Sequence, residues 1–416
     1  MSEMKWQSLP VETLRPAVYN PRKKLKAGDK EYEKIKNSIQ EFGYVEPIIV
    51  NYDMTVIGGH QRLTVLKDLG YTEVQCVVVD IKDENKVKAL NIALNKITGA
   101  WDESLLAGLL VDLQAVNFNT DFTGFEAPEI EQILTRIHDK NSKEDDFDVD
   151  AALEEETFVK PGDIWCLGKH RLMCGDATKA DDVAVLMNGK KANLVVTDPP
   201  YNCAYEGGTG MTIMNDSMES KQFYEFLLAA MKNAYHHLAD GGAIYIFHSD
   251  AEKVNFYNAT VSAGFHYSTT CIWVKNSLVL GRMDYQMRHE PIIYAFKDTA
   301  KHRWYSDRKQ STVWEFDRPV KSKLHPTTKP VELVAYPIRN SSQVNGIVLD
   351  LFGGSGSTLI ACEQIDRSAY LMELDPRYAT VIVKRYAETK GDGKDIFLER
   401  GGYTSSLTEV LAGMNR

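Results

Sequence analysis

Apolar and polar positions along this 416-residue chain fall into two regimes. In the first, the stretches PIIVNYDMTVIGG and EVQCVVVDI alternate as strands do, while EYEKIKNSIQEFG and HQRLTVLKDLG carry apolar residues at helical spacing and end in glycine. They predict a compact α+β domain over residues 1–138. In the second, NLVVTDPPY, GGAIYIFHS, EPIIYAFK, GIVLDLFGGSG and AYLMELD are short apolar runs ending in polar residues or glycine, separated by helical segments such as QFYEFLLAAMKNAYHHL. That alternation predicts an α/β domain over residues 158–416, a doubly wound and mostly parallel sheet whose ligands collect at the C-terminal ends of strands. Between the two, residues 139–157 are acidic and lack apolar periodicity, which suits a solvated linker.

Composition narrows the function classes. No apolar run reaches the ~18 residues that cross a bilayer, and the opening MSEMKWQSLPVETLRP has no basic stretch followed by an apolar core. No membrane partner and a cytoplasmic location are expected. The six cysteines (Cys76, Cys166, Cys174, Cys203, Cys271, Cys362) stand singly, so reduced thiols and no metal site are expected. A net charge of -10 excludes indiscriminate coating of nucleic acid but leaves room for a local basic face.

Two motifs carry chemistry, and both follow predicted strands. Asp198-Pro199-Pro200-Tyr201 stops a strand with two prolines, which fix the backbone beside an acceptor carboxylate and an aromatic ring. An amine on an aromatic base is a poor nucleophile because its lone pair is delocalised. A carboxylate that accepts its N–H, with the rigid Pro199 carbonyl, can localise that lone pair and aim it at a sulfonium methyl. A base inside a duplex must then be swung out, and Tyr201 is the candidate surface against which it stacks. The second motif, Asp350-Leu351-Phe352-Gly353-Gly354-Ser355-Gly356, joins a strand to a helix with glycines that allow close approach of a cofactor. Glu373, at the end of the next strand, is placed to bind ribose hydroxyls. The glycine loop by itself would serve a dinucleotide equally well.

Together the two motifs resemble the amino-methyltransferases of DNA, in which Asp-Pro-Pro-Tyr is the catalytic motif and Phe-x-Gly-x-Gly holds S-adenosylmethionine. The resemblance spans residues 159–386, with the catalytic motif ahead of the cofactor loop as in the family's permuted beta arrangement. It implies a Rossmann-like methyltransferase domain, S-adenosylmethionine as cofactor and double-stranded DNA as partner. It also implies that Asp176 contacts the cofactor adenine and that His325 and Lys329 of HPTTKP shape the pocket near the methionine end. Arg288-His289-Glu290 resembles the segment lining the target-base pocket. Asp at the first motif position is typical of adenine N6 enzymes, whereas cytosine N4 enzymes more usually have Ser. RNA or protein-amide methylation, and a non-catalytic sensor of S-adenosylmethionine, are the rival readings. A homodimer is left open.

From Lys275 to Lys329 twelve Lys or Arg face six Asp or Glu, and the stretch KHRWYSDRKQSTVW interleaves bases with aromatics. Arg282, Arg288, Lys301, Arg303, Arg308 and Lys309 are therefore the candidate DNA contacts. The N-terminal domain, with Asn20-Pro21-Arg22 and VIGGHQRLTVLKDLG, resembles the ParB partition family over about residues 6–115. Gly58, Gly59, His60 and Arg62 form a candidate nucleotide-binding turn at a helix start. Gly-His-Gln-Arg replaces that family's Gly-Glu-Arg-Arg, and no helix-turn-helix is expected to follow.

Overall fold

The computed structural model describes residues 5–96, 101–116, 118–126, 129–130, 133–134, 142–203, 214–279, 284–317, 329–391 and 393–414. The chain divides into two units, Met1–Ile137 and His138–Arg416.

In the first unit, strands β1 (Lys5–Pro10), β2 (Arg15–Pro16), β3 (Ile48–Asn51), β4 (Thr55–Gly58) and β5 (Glu73–Val79) form one sheet in the order β1-β5-β3-β4-β2. Tyr32 and Ile39 of the helix Lys30–Phe42, with Leu63 and Leu66 of the helix His60–Asp68, bury one face against Ile48, Val50 and Val56. Val87 of the helix Glu84–Asn95 covers the other face at Ile57 and Val77. Gly43 ends the first helix at φ +75°, a backbone state that costs a residue with a Cβ dearly.

The second unit carries β6 (Ile164–Leu167), β7 (His170–Cys174), β8 (Ala192–Thr197), β9 (Leu238–Phe247), β10 (His266–Val279), β11 (Met287–Phe296), β12 (Val313–Glu315), β13 (Ile347–Asp350), β14 (Ser368–Glu373), β15 (Ile396–Arg400) and β16 (Tyr403–Ser406). They lie in one sheet in the order β12-β10-β11-β9-β8-β13-β14-β7-β6-β15-β16. The five central strands, β9-β8-β13-β14-β7, are parallel. Their apolar runs are continuous because both faces are covered. Leu194, Val196 and Val348 pack into the core under the helices Val331–Ser341, Ser357–Gln364 and Pro376–Lys390. Val195 and Leu349 point the other way, into the core under Ala180–Met187, Ser220–His237 and Lys253–Ser262. A Rossmann-like sheet with helices on both faces results.

The acidic stretch departs from the solvated linker its composition predicts. Four consecutive residues each hold part of the second unit. Ser142 receives a hydrogen bond from Arg339 (3.3 Å), and Lys143 exchanges two with Gln364 (2.8 and 2.9 Å). Glu144 accepts from the backbone N–H of Val331 (2.6 Å), and Asp145 takes both arms of Arg385 (2.6 and 2.8 Å). Asp148 then caps the helix Val149–Glu154, which buries Ala152. The charges that look solvating are partners to an uncapped helix start and to an arginine that is only 3% exposed. Arg385→Ala should therefore lower the stability of this unit by roughly 3 kcal/mol, measured by chemical denaturation. An unmoved midpoint would mean that the segment merely rests on the surface.

Candidate active site

In open parallel sheets a crevice forms where the chain leaves two neighbouring strands in opposite directions. Here those strands are β8 and β13: β8 is followed in the sheet by β9 on one side, β13 by β14 on the other. The Thr197 hydroxyl at the end of β8 donates to Asp350 Oδ1 at the end of β13 (3.0 Å), tying together positions 153 residues apart. Asp198, Pro199, Pro200 and Tyr201 leave β8 at this point, and Phe352, Gly353, Gly354 and Ser355 leave β13 beside them. All of these residues line one cavity of about 410 Å³, within the usual range for a small-molecule site.

The glycine side of the cavity is built by close approach. Gly356 caps the helix Ser357–Gln364 at φ +89°, and a Cβ added there would stand 3.2 Å from Ile382. A Cβ on Gly353 would meet Ile382 and the Met372 carbonyl at 3.2 and 3.3 Å. Glu373, ending β14, accepts from the backbone N–H of Gly354 (2.8 Å) and of Asp375 (2.9 Å), so it shapes the loop as well as lining the cavity. Burial pushes its carboxyl up to about 7, and burial does the same for Asp350. Asp350 accepts from Thr197, Thr358 and the Phe352 N–H, which makes it the buried joint of the crevice. Phe352 lies against Phe226 with ring centroids 5.8 Å apart. Asp176, following β7, receives the N–H and hydroxyl of Thr178 (2.9 and 2.7 Å) and lines the same cavity.

The opposite side is a chain of alternating charges. Lys329 Nζ lies 2.7 Å from Asp198 Oδ2, 3.2 Å from Glu290 Oε2 and 3.1 Å from the Tyr201 hydroxyl. That hydroxyl donates to Asp198 Oδ1 (2.7 Å). Lys275, on β10, closes the chain with a short contact to Glu290 Oε1. Burial raises the Asp198 carboxyl, an effect that Lys329 opposes. Burial also pushes Glu290 upward, but Lys329 and Lys275 outweigh it and hold that carboxyl at about 2. The resemblance implied that Lys329 serves the cofactor's methionine end, whereas its ammonium stands on Asp198. Among the described residues seven carboxylates and two lysines line the cavity, an arrangement that suits a cationic ligand bearing hydroxyl groups.

Lys275 is the residue that motif reading passed over, and Glu290, read as part of a pocket-lining segment, was not paired with it. Each is a charge at the end of an apolar strand, WVK and HEPII, and their adjacency arises only from the antiparallel pairing of β10 with β11.

Other candidates are scattered. Arg288 is exposed where β11 begins, at the cavity end of the sheet, and donates to the Lys275 carbonyl (2.9 Å). Lys301 and Arg303, candidate DNA contacts, do not line the cavity. Because β11 runs antiparallel to β9, the segment after it emerges at the N-terminal end of β9, where Arg303 donates its N–H to the Gly241 carbonyl (3.0 Å). The β9 residues from Gly241 to Phe247 put roughly 20 Å between that point and the crevice. Arg308 and Lys309 occupy an exposed turn ahead of the edge strand β12. Arg282 and His325 lie outside the described residues. In the first unit Gly59 begins a helix at φ +89°, directly after Gly58. Arg62 is turned onto Glu46, and burial holds His60 down at about 4 while its Nε2 accepts from the Ala17 N–H (3.3 Å).

Comparison with known proteins gives three family matches along the chain. A DNA methylase family model of the N6/N4 type matches residues 192–384, and a ParB N-terminal domain model matches residues 1–94. A ParB-methyltransferase helix-turn-helix model matches residues 104–161, which overturns the expectation that no helix-turn-helix follows. The α-helices Glu103–Ala115 and Val149–Glu154 and the 3-10 turn Thr120–Thr123 are described within that stretch; the acidic residues before Val149 had obscured the second helix. The Type II methyltransferase M.HpaI of Haemophilus parainfluenzae is 27% identical over 252 residues, which cover 55% of this chain and 78% of that protein. A probable chromosome-partitioning protein ParB of Campylobacter jejuni is 37% identical over 89 residues, 20% of this chain and 31% of its own length. Among solved structures, the cytosine-N4-specific PvuII DNA methyltransferase is 15% identical with a TM-score of 0.44, covering 63% of this chain and 95% of that one. Residues 192–384 thus form a DNA methylase domain of the N6/N4 type, and a ParB N-terminal domain precedes it.

Proposed function

We propose that this protein transfers a methyl group from S-adenosylmethionine to the N6 amine of adenine in double-stranded DNA. The observation that carries the proposal is the shared cavity, in which the Asp198 turn and the Phe352 glycine loop, separated by about 150 residues of sequence, are joined through Thr197 and Asp350. Gly353, Gly354 and Gly356 hold the cofactor against the loop backbone, Glu373 accepts its ribose hydroxyls, Asp176 faces its adenine and Phe352 packs on it. When bound, the cofactor supplies an electrophilic methyl on a sulfonium. Asp198 accepts an N–H of the target amine, the Pro199 carbonyl accepts the other, and the lone pair is thereby localised. Adenine is favoured over cytosine by Asp at the head of the motif, as in the family this chain resembles.

DNA from cells expressing the chain, sequenced with detection of modified bases, should contain N6-methyladenine at one recurring sequence. N4-methylcytosine would overturn the base assignment, and unmodified DNA the activity.

The Glu373 carboxyl gives the cofactor site a pH signature. Its value near 7 means that it accepts hydroxyls as an ionised group above neutrality and loses that capacity as the pH falls. The affinity for S-adenosylmethionine should drop by roughly tenfold between pH 8 and pH 6, measured by calorimetry. Glu373→Gln should bind more weakly at pH 8 and show little of this slope. A wild-type affinity flat across that range would rule out Glu373 as the ribose acceptor.

A further inference from the structure

We propose that Glu290, held by Lys275, takes over the Lys329 ammonium when the target amine enters, which releases Asp198 to accept the amine N–H. This rests on reading the cavity as the site of methyl transfer.

Asp198 is occupied on both oxygens, by Lys329 on Oδ2 and by Tyr201 on Oδ1. An amine reaching it must compete with an ion pair whose lysine side chain is 8% exposed. Separating such a pair outright would strand a buried cation, a heavy cost. Glu290 Oε2 removes the cost: it lies 3.2 Å from the same Nζ, so a movement of a few tenths of an ångström exchanges one carboxylate for the other. The Tyr201 hydroxyl is also 3.2 Å from Glu290 Oε2 and can follow the ammonium. The exchange needs Glu290 to stay anionic and fixed. Lys275 meets both needs, since it grips Oε1, is itself buried, and leaves Oε2 facing Lys329. No proton changes owner, and Glu290 and Lys275 act as positioning residues through Lys329.

The test uses the full-length protein, with methyl transfer from tritiated S-adenosylmethionine to genomic DNA that lacks the modification. Cofactor affinity by calorimetry and melting temperature are measured alongside. Glu290→Gln should lower kcat by about 30-fold with cofactor Kd changed less than about twofold. Lys275→Met should fall in the same direction, and Lys275→Arg should recover most of the loss. In a Lys329→Met background no ammonium remains to relocate, so Glu290→Gln should change kcat by less than about threefold. An equal drop in both backgrounds, or full turnover by Glu290→Gln, overturns the exchange while leaving the methyltransferase reading intact. Absence of transfer by the unsubstituted protein overturns both.

Discussion

Asp198→Ala should abolish turnover, by on the order of 10³-fold in kcat, while the protein still binds S-adenosylmethionine within about threefold of the unsubstituted affinity. The asymmetry follows from where the carboxylate acts. It accepts an N–H whose acidity grows as the methyl is transferred, so its contribution is largest in the transition state. The glycine loop, Glu373 and Phe352 remain. The variant should also stay folded, because Lys329 keeps Glu290 at 3.2 Å as a counter-charge. Asp198→Asn, which retains an acceptor oxygen and loses the charge, should fall between the two. Tritium transfer and calorimetry on the same preparations decide the matter, and turnover by the alanine variant would remove the mechanism.

Gly356→Val should weaken S-adenosylmethionine binding by roughly 100-fold, the equivalent of about 2 to 3 kcal/mol of strain. The position has φ +89°, where a β-branched residue is strongly disfavoured, and its Cβ would approach Ile382 to 3.2 Å. Ile382 is 1% exposed and has nowhere to go, so the loop must shift instead. The contrasting site is Gly354, at φ +52°, where an added Cβ meets nothing within 4 Å and asparagine fits the backbone state. A valine at 356 that leaves cofactor affinity unchanged would mean the assigned loop is not the binding loop.

Much of this site could be read from sequence because polar residues at the ends of buried parallel strands have few reasons to be there. Asp198 after NLVVT, Asp350 after IVL and Glu373 after AYLM each follow an apolar run where such sheets place their ligands. What one dimension withholds is adjacency. Nothing in the order of motifs makes β8 and β13 neighbours, and nothing in WVK or HEPII announces that Lys275 will meet Glu290. Direction is withheld too: a single antiparallel strand, β11, sends Lys301 and Arg303 to the far end of the sheet from a charge cluster that looks continuous. Composition misleads where charges have partners, as with Glu144 and Asp145, because a count of acidic residues does not reveal which of them face a buried arginine or a bare helix start.

Those two side chains also move the natural place to sever the polypeptide. A fragment beginning at Phe158 would keep every strand of the large sheet and every wall of the cavity, yet Arg385 would lose its carboxylate while still holding the Ser355 carbonyl (3.0 Å), and the helix after Lys329 would lose the oxygen that closes its first turn. Anyone isolating the methylase half would do well to start upstream of Ser142, since the shorter piece would carry a loosened glycine loop within an otherwise intact sequence.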